Sequence, residues 1–172
     1  MYDQILYPTD GSTGSEAAAE HVEELASAFD ATVHVLSVVD TRHVAIGMGE
    51  AFLADDGVAL SSDPSSGAEG GTVGGTADID ERRSVLRERG EAIVEEASAA
   101  LGGIETATAV ESGDPHATIL EYADGNDIDL IVMGTHGRTG LDRYLLGSVT
   151  EKVVRMADPP VVTVRADESA DE

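Results

Sequence analysis

Two glycines and a helix start frame a candidate anion site in the last third of the chain. Gly134 and Gly137 follow a continuous apolar run, and nine residues later Gly147 and Ser148 introduce a segment with helical spacing. Because glycine has no Cβ atom, backbone N–H groups can approach a ligand closely there. A helix start adds unpaired N–H groups and the positive end of the helix dipole. The spacing favours a polyphosphate over one sulfate-sized ion, although a glycine-rich turn before a capped helix has the same pattern.

Several other chemistries leave no signature in the chain. No glycine precedes a Lys-Ser or Lys-Thr pair and no G-x-G-x-x-G occurs, so the P-loop and the usual dinucleotide motif are excluded. The sequence has no Cys, which excludes disulfides, thiolate metal sites and cysteine nucleophiles. His21, His34, His43 and His116 are scattered without ligand spacing and indicate no metal site.

Alternating strand and helix patterns position the candidate site. Apolar or β-branched runs predict strands at residues 5–7, 32–39, 104–110, 130–133 and 161–164. Apolar residues at helical spacing predict helices over 14–29, 81–101, from 115 onward and from 148 to about 157. Capping boxes are expected at Thr13 with Glu16 and at Ser148 with Glu151, and Asp114 before Pro115 is a favourable helix start.

This alternation predicts an α/β, Rossmann-like fold. We expect a five-stranded doubly wound parallel sheet, in the order 3-2-1-4-5, with helices on both faces. In such sheets ligands bind beyond the carboxyl ends of the strands, where the strand order reverses. Asp10, the segment 38–40 and Gly134 end the first, second and fourth strands. They should therefore gather at one edge of the sheet.

The net charge of −24 bears on partners rather than on fold. Thirty-four Asp and Glu face ten Lys and Arg, of which only Lys152 is a lysine. Such a chain lacks the basic face that nucleic acid needs and is unsuited to an anionic membrane. Acid spread along the whole chain, with little lysine, indicates a halophilic source, because high salt screens self-repulsion. With no signal peptide and apolar runs of about five residues, a cytoplasmic protein is expected.

The chain is predicted to hold one domain over residues 1–166. Residues 55–78 are rich in Gly and Ser, have no aromatic residue and lack periodicity. They cannot bury enough surface to offset their ordering entropy, so a mobile insertion is expected at about 41–80. Residues 167–172 form an acidic tail that we expect to be frayed.

Three segments carry a resemblance to a known family. They are the opening ILYPTDGS at residues 5–12, the strand end VVD at 38–40, and MGTHGR at 133–138 with GSVT at 147–150. Together they resemble the universal stress protein family, and the two-glycine, nine-residue, Gly-Ser pattern resembles its ATP-binding branch. The resemblance covers nearly the whole chain apart from the insertion and the tail. It implies an ATP-binding α/β domain that forms a homodimer, often through its last strand, here Val161, Val162 and Val164.

The resemblance also implies roles for individual residues. Asp10 matches a position near adenine and ribose, although it would also suit a turn carboxylate that caps the first helix. Val38 matches a residue whose backbone bonds the adenine edge. The glycines at 134 and 137 match ribose and phosphate contacts. The implied cofactor-binding set is Pro8, Thr9, Asp10, Val38, Met133, Gly134, His136, Gly137, Arg138, Gly147, Ser148, Val149 and Thr150, with residues 147–149 at the triphosphate.

The implied function is a nucleotide-responsive dimeric regulatory module in stress response. ATP carries about four negative charges, so we expect it to bind as the Mg or Mn complex and to require high salt. One alternative is a slow ATPase, for which His136 is the only plausible base. Another is a dimeric scaffold that binds no nucleotide. A two-component receiver domain is excluded, because strand three ends at Val110-Glu111 and the last strand has no Lys.

Overall fold

Strands and helices alternate along the chain as the sequence predicts. The computed structural model describes residues 1–42, 76–136 and 146–166. Its strands are β1 (Gln4–Pro8), β2 (Thr32–Asp40), β3 (Thr106–Gly113), β4 (Leu130–Gly134) and β5 (Val161–Val164). Its helices are α1 (Thr13–Phe29), α2 (Thr76–Ala100), α3 (Pro115–Gly125) and α4 (Ser148–Met156). Most of the predicted insertion, the predicted tail, Gly137 and Arg138 lie outside the described residues.

The five strands form one parallel sheet in the order β3-β2-β1-β4-β5, which confirms the predicted order. β1 pairs with β2 on one side and with β4 on the other, so the strand order reverses between β1 and β4. Every residue of β4 is buried. Strands covered on both faces need continuous apolar sequence, which is why the runs at residues 5–7 and 130–133 mark the middle of the sheet.

Each face of the sheet carries its own apolar core, because successive side chains of a strand point to opposite faces. Ile5 and Tyr7 pack with α1 and α2 on one face. Leu6 and Ile131 pack with α3 and α4 on the other. Helices therefore cover both faces, as predicted. Within the described residues, no helix combines the length and the apolar character that a membrane span requires.

Two predicted capping boxes are wrong. The N-cap of α1 is Ser12, whose hydroxyl accepts a hydrogen bond from the Ser15 N–H, so Thr13 is already helical. The N-cap of α4 is Gly147, and Ser148 is the first helical residue. In both cases the residue before the expected cap takes that place, because the preceding turn fixes where helical dihedrals begin.

Other boundaries shift by a few residues. α2 begins at Thr76 rather than 81, and β3 spans Thr106–Gly113 rather than 104–110. Asp114 is the N-cap of α3, with Pro115 in the first turn, as predicted. Its carboxylate makes no capping hydrogen bond. It contacts Nδ1 of His116 at 2.6 Å and lies 3.7 Å from the Arg42 guanidinium.

Candidate functional site

A cavity of about 440 Å³ lies at the carboxyl edge of the sheet. Its walls come from the ends of β1, β2 and β4, from α2 and α3, and from the start of α4. Pockets of this size hold ligands as large as a nucleotide. All predicted site residues within the described part of the chain line it, namely Pro8, Thr9, Asp10, Val38, Met133, Gly134, His136, Gly147, Ser148, Val149 and Thr150.

The turn between β1 and α1 holds the Asp10 carboxylate in place. Asp10 Oδ1 accepts hydrogen bonds from the Ser12 N–H at 3.0 Å and from the Ser15 hydroxyl at 3.1 Å. The turn is itself fixed to β2, because the Thr9 N–H donates to the Leu36 carbonyl at 2.9 Å. Gly11 adopts a φ of +71°, a left-handed conformation that favours glycine. Asp10 thus lines the cavity and also orders the start of α1.

Gly134 is required by packing at the end of β4. A Cβ atom at Gly134 would overlap the backbone of Gly14, lying 2.6 Å from its carbonyl carbon. A Cβ atom at Gly14 would likewise overlap the His136 carbonyl. The two glycines therefore let α1 rest directly on β4. Sequence reasoning attributed Gly134 to close approach of a ligand and missed Gly14, whose only sequence signal is a glycine in the first turn of a helix.

The start of α4 is fixed to β4 by two hydrogen bonds. The Gly147 N–H donates to the Thr135 carbonyl at 2.7 Å, so this donor is already taken. The buried Thr150 hydroxyl donates to the Gly134 carbonyl at 2.9 Å. The first N–H bonded within α4 is that of Glu151, to the Gly147 carbonyl. The N–H groups of residues 148–150 precede it and form the donor end of the helix.

Charged groups of both signs line the cavity. Arg42 donates to both carboxylate oxygens of Asp40, at 3.1 and 2.9 Å, and these hydrogen bonds raise its pKa above the ordinary arginine value. Arg89 reaches the cavity from α2. Nδ1 of His136 lies 2.9 Å from the Thr135 hydroxyl. Sequence reasoning missed both arginines, because Arg42 falls in the predicted insertion and Arg89 on the charged side of a helix.

Metal ligation has no ready-made cluster in the described ranges. No group of three or more His, Asp or Glu is arranged there to hold a metal ion. Asp10 and Asp40 are the acidic side chains that line the cavity. The described arrangement can bind an anion through the start of α4 and an apolar or aromatic group against β2.

Comparison with known proteins places the chain in a family. The sequence profile of the Universal stress protein family matches residues 1–165. The chain belongs to this family. It is 35% identical to Universal stress protein MJ0531 of Methanocaldococcus jannaschii over 167 residues, which cover 96% of the chain and 83% of the relative. It is 32% identical to Universal stress protein MJ0577 of the same organism, with 96% of each chain covered.

The solved structures agree with this family membership. The structure of MJ0577 superposes with a TM-score of 0.75 at 29% identity and covers 98% of this chain and 99% of its own. Two more distant members were solved with nucleotides. One is a universal stress protein in complex with cAMP, at 19% identity and a TM-score of 0.56, covering 96% of this chain and 98% of its own. The other, from Arabidopsis thaliana with AMP bound, has 16% identity and a TM-score of 0.55, covering 99% of this chain and 96% of its own.

Proposed function

We propose that the protein binds ATP in the carboxyl-edge cavity and acts as a nucleotide-responsive dimeric regulatory module of the cytoplasmic stress response. One observation carries the nucleotide part of the proposal. The cavity has the donor end of α4 at one side and the apolar wall of β2 at the other. That arrangement suits a molecule that is anionic at one end and aromatic at the other. The AMP and cAMP complexes of distant family members support it.

The base end of the proposed site lies against β2. Val38 lies near the end of β2 and lines the cavity together with Ile93 of α2 and Ile119 of α3. An aromatic base packs well between apolar side chains, and the strand backbone supplies polar groups at its edge. Asp10 lies beside this end and is held by Ser12 and Ser15. We assign it to the ribose hydroxyl groups, for which a carboxylate is a strong acceptor.

The phosphate end of the proposed site lies at the start of α4. The N–H groups of Ser148 and Val149 and the helix dipole favour negative charge there. His136 lies on the same side of the cavity, after β4. Gly147 contributes shape rather than an N–H donor, since Thr135 takes its N–H. The proposed triphosphate contacts at this helix therefore fall on Ser148 and Val149.

Magnesium or manganese enters this proposal as part of the ATP complex. Metal-bound ATP carries less negative charge, which lowers its repulsion by an acidic protein. Because the described cavity has no three-residue metal cluster, we assign the ion's main ligands to the phosphates and water. Slow hydrolysis and a scaffold without nucleotide are the alternatives, and no described feature specifically favours either.

A matched pair of substitutions at Ser148 tests the phosphate end. Ser148 is exposed and is the first helical residue, a position where proline fits. Gly147 before it has ψ of 149°, which a following proline prefers. Ser148→Pro removes the backbone donor and the hydroxyl, whereas Ser148→Ala removes the hydroxyl alone. We expect Ser148→Pro to weaken ATP binding about tenfold or more beyond Ser148→Ala in calorimetric titrations.

The two variants also separate binding from folding. Both should unfold at temperatures close to that of the parent protein, because neither change touches the core. Equal ATP affinities for Ser148→Pro and Ser148→Ala would show that the α4 backbone does not hold the phosphates. Absence of ATP binding by the parent protein, in high salt with magnesium, would refute the nucleotide proposal itself.

A further inference from the structure

Gly90 brings α2 close to the sheet and thereby shapes one wall of the cavity. A Cβ atom at this buried glycine would lie 2.9 Å from Cγ1 of Val110 on β3 and 3.5 Å from the Ser37 hydroxyl on β2. The absence of a side chain allows α2 to lie directly over these two strands. The residues at spacings of three, four and seven along this helix face, Leu86, Arg89, Gly90 and Ile93, then line the cavity.

Arg89 is the charged residue on this face, and unlike Arg42 and Arg87 it has no carboxylate partner among the described residues. Arg42 is paired with Asp40 and Asp114, and Arg87 with Glu91. Arg89 is exposed and forms no ion pair or hydrogen bond with any residue in the described part of the chain. Although the chain has 34 acidic residues, none of the described ones pairs with this guanidinium, which is therefore available to a ligand.

We propose that Arg89 stacks its guanidinium group on the base of the bound nucleotide. This rests on the proposed function. α2 lies over β2 and β3, at the base end of the cavity, whereas the phosphate-binding start of α4 lies beside β4 and β5. A guanidinium is planar and weakly hydrated, so it packs well on an aromatic face. Leu86 and Ile93, one turn before and after Arg89, provide the apolar edges of this contact.

The assignment makes Arg89 a determinant of base affinity rather than of phosphate affinity. A contact with the base contributes equally to adenosine, AMP and ATP, since all three carry the same ring. A contact with phosphate, or a general effect of protein charge, contributes more as the ligand gains negative charge. The dependence on ligand charge therefore separates a stacking role from an electrostatic one.

Binding of adenosine, AMP and Mg–ATP to Arg89→Gln, Arg89→Lys and Arg87→Gln tests the proposal. Arg87→Gln is the matched control, since it removes the same charge from the same helix at a side chain paired with Glu91. We expect Arg89→Gln to lose about three- to tenfold in affinity for all three ligands alike. Arg89→Lys keeps the charge without the plane and should recover only part of the affinity that Arg89→Gln loses. Arg87→Gln should bind all three as the parent protein does.

Four outcomes would overturn the proposal. Unchanged affinity in Arg89→Gln would show that the side chain does not contact the ligand. A loss that grows from adenosine to ATP, or full rescue by lysine, would show an electrostatic role instead of stacking. If the parent protein binds none of the three ligands, the proposed function fails and the Arg89 assignment fails with it.

Discussion

Two glycines, Gly14 and Gly134, decide how closely α1 approaches the sheet edge that forms the candidate site. A Cβ atom added at Gly14 would overlap the His136 carbonyl, and one added at Gly134 would overlap the Gly14 backbone. Asp10 precedes Gly14 and His136 follows Gly134 in the chain, and both Asp10 and His136 line the cavity. A change at either glycine would therefore shift segments that line the cavity, so the packing of these two glycines helps to set the shape of the site.

Gly134→Ala should destabilise the fold. The new methyl group would meet the Gly14 backbone, which cannot move aside as a flexible side chain would. Overpacking of this kind costs about 1–3 kcal/mol, which corresponds to a fall in melting temperature of roughly 3–10 °C for a domain of this size. Gly125→Ala, at the end of α3 with no atom within 4 Å of the added carbon, is the control. Equal melting temperatures for the two variants would contradict the packing role.

The sequence pointed to most of the candidate site, because its residues lie at strand ends and at one helix start. Pro8 to Asp10 and Met133 to Gly134 each end a strand, and parallel topology brings such ends to one edge. Gly14 and Arg89 could not be found in this way. Their importance depends on which helix rests on which strand, and no local spacing encodes that distance.

At the scale of elements, strands were more predictable than helix starts. β1 and β4 are continuous apolar runs because both of their faces are buried, and no other element type fits so short a run between turns. The starts of α1 and α4 were misplaced by one residue, since Ser12 and Thr13 are both good caps, as are Gly147 and Ser148. Turn geometry, rather than residue preference, chose between them.

β2 carries a partly buried histidine that links three elements. Nε2 of His34 donates to Oε1 of Gln4 at 2.7 Å, and Nδ1 accepts from the Tyr122 hydroxyl at 3.0 Å. These partners fit the neutral ring, and burial lowers the pKa of His34 below its ordinary value. His34 therefore connects β2 to β1 and α3 through a ring whose burial favours the uncharged form.

This pKa shift predicts an acid-dependent loss of stability. The unfolded chain binds a proton at His34 near pH 6.5 and the folded chain only at lower pH. The contribution to stability is complete above about pH 6.5 and declines as the pH falls below it. The free energy of unfolding, measured with urea, should fall more between pH 7.5 and pH 5 in the parent protein than in His34→Gln. The control is His21→Gln, at an exposed site on α1. The same pH dependence in all three would exclude a contribution from His34.

At the scale of the whole molecule, β5 is an edge strand of the sheet and pairs only with β4 in the described part of the chain. Val162 on this strand is 37% exposed, whereas Val164 is buried in the core and Val161 packs on the α3–α4 side. An apolar edge strand pairs readily with another strand. We therefore propose that two copies pair through the backbone of β5, with Val162, the most exposed of the predicted three, beside the joint.

Val162→Lys should convert the dimer to a monomer, because it places two like charges in the joint strand pair. Val85→Lys adds the same charge at a more exposed valine on α2 and should leave the dimer intact. Light scattering measures the molar mass of each. A dimeric Val162→Lys, or a monomeric parent protein, would contradict pairing through β5.

The net charge of −24 is also a property of the whole molecule. We propose that this charge is an adaptation to a salt-rich solvent and that the source is halophilic. In dilute buffer this charge opposes the entry of an anionic ligand over long distances, whereas the α4 donors and Arg89 act only at short range. ATP affinity should therefore rise from dilute buffer to multimolar KCl, and tighter binding at low salt would contradict this interpretation.

Titration of the ¹⁵N-labelled protein with Mg–ATP in multimolar KCl, followed by NMR, tests most directly whether the cavity is a nucleotide site. Saturable shifts are expected for the amides of Val38, Ser148 and Val149, which lie at the two ends of the cavity. The amide of Gly103, in the loop before β3 at the other edge of the sheet, should stay unchanged. No saturable shifts, or shifts confined to residues outside the cavity, would contradict nucleotide binding at this site.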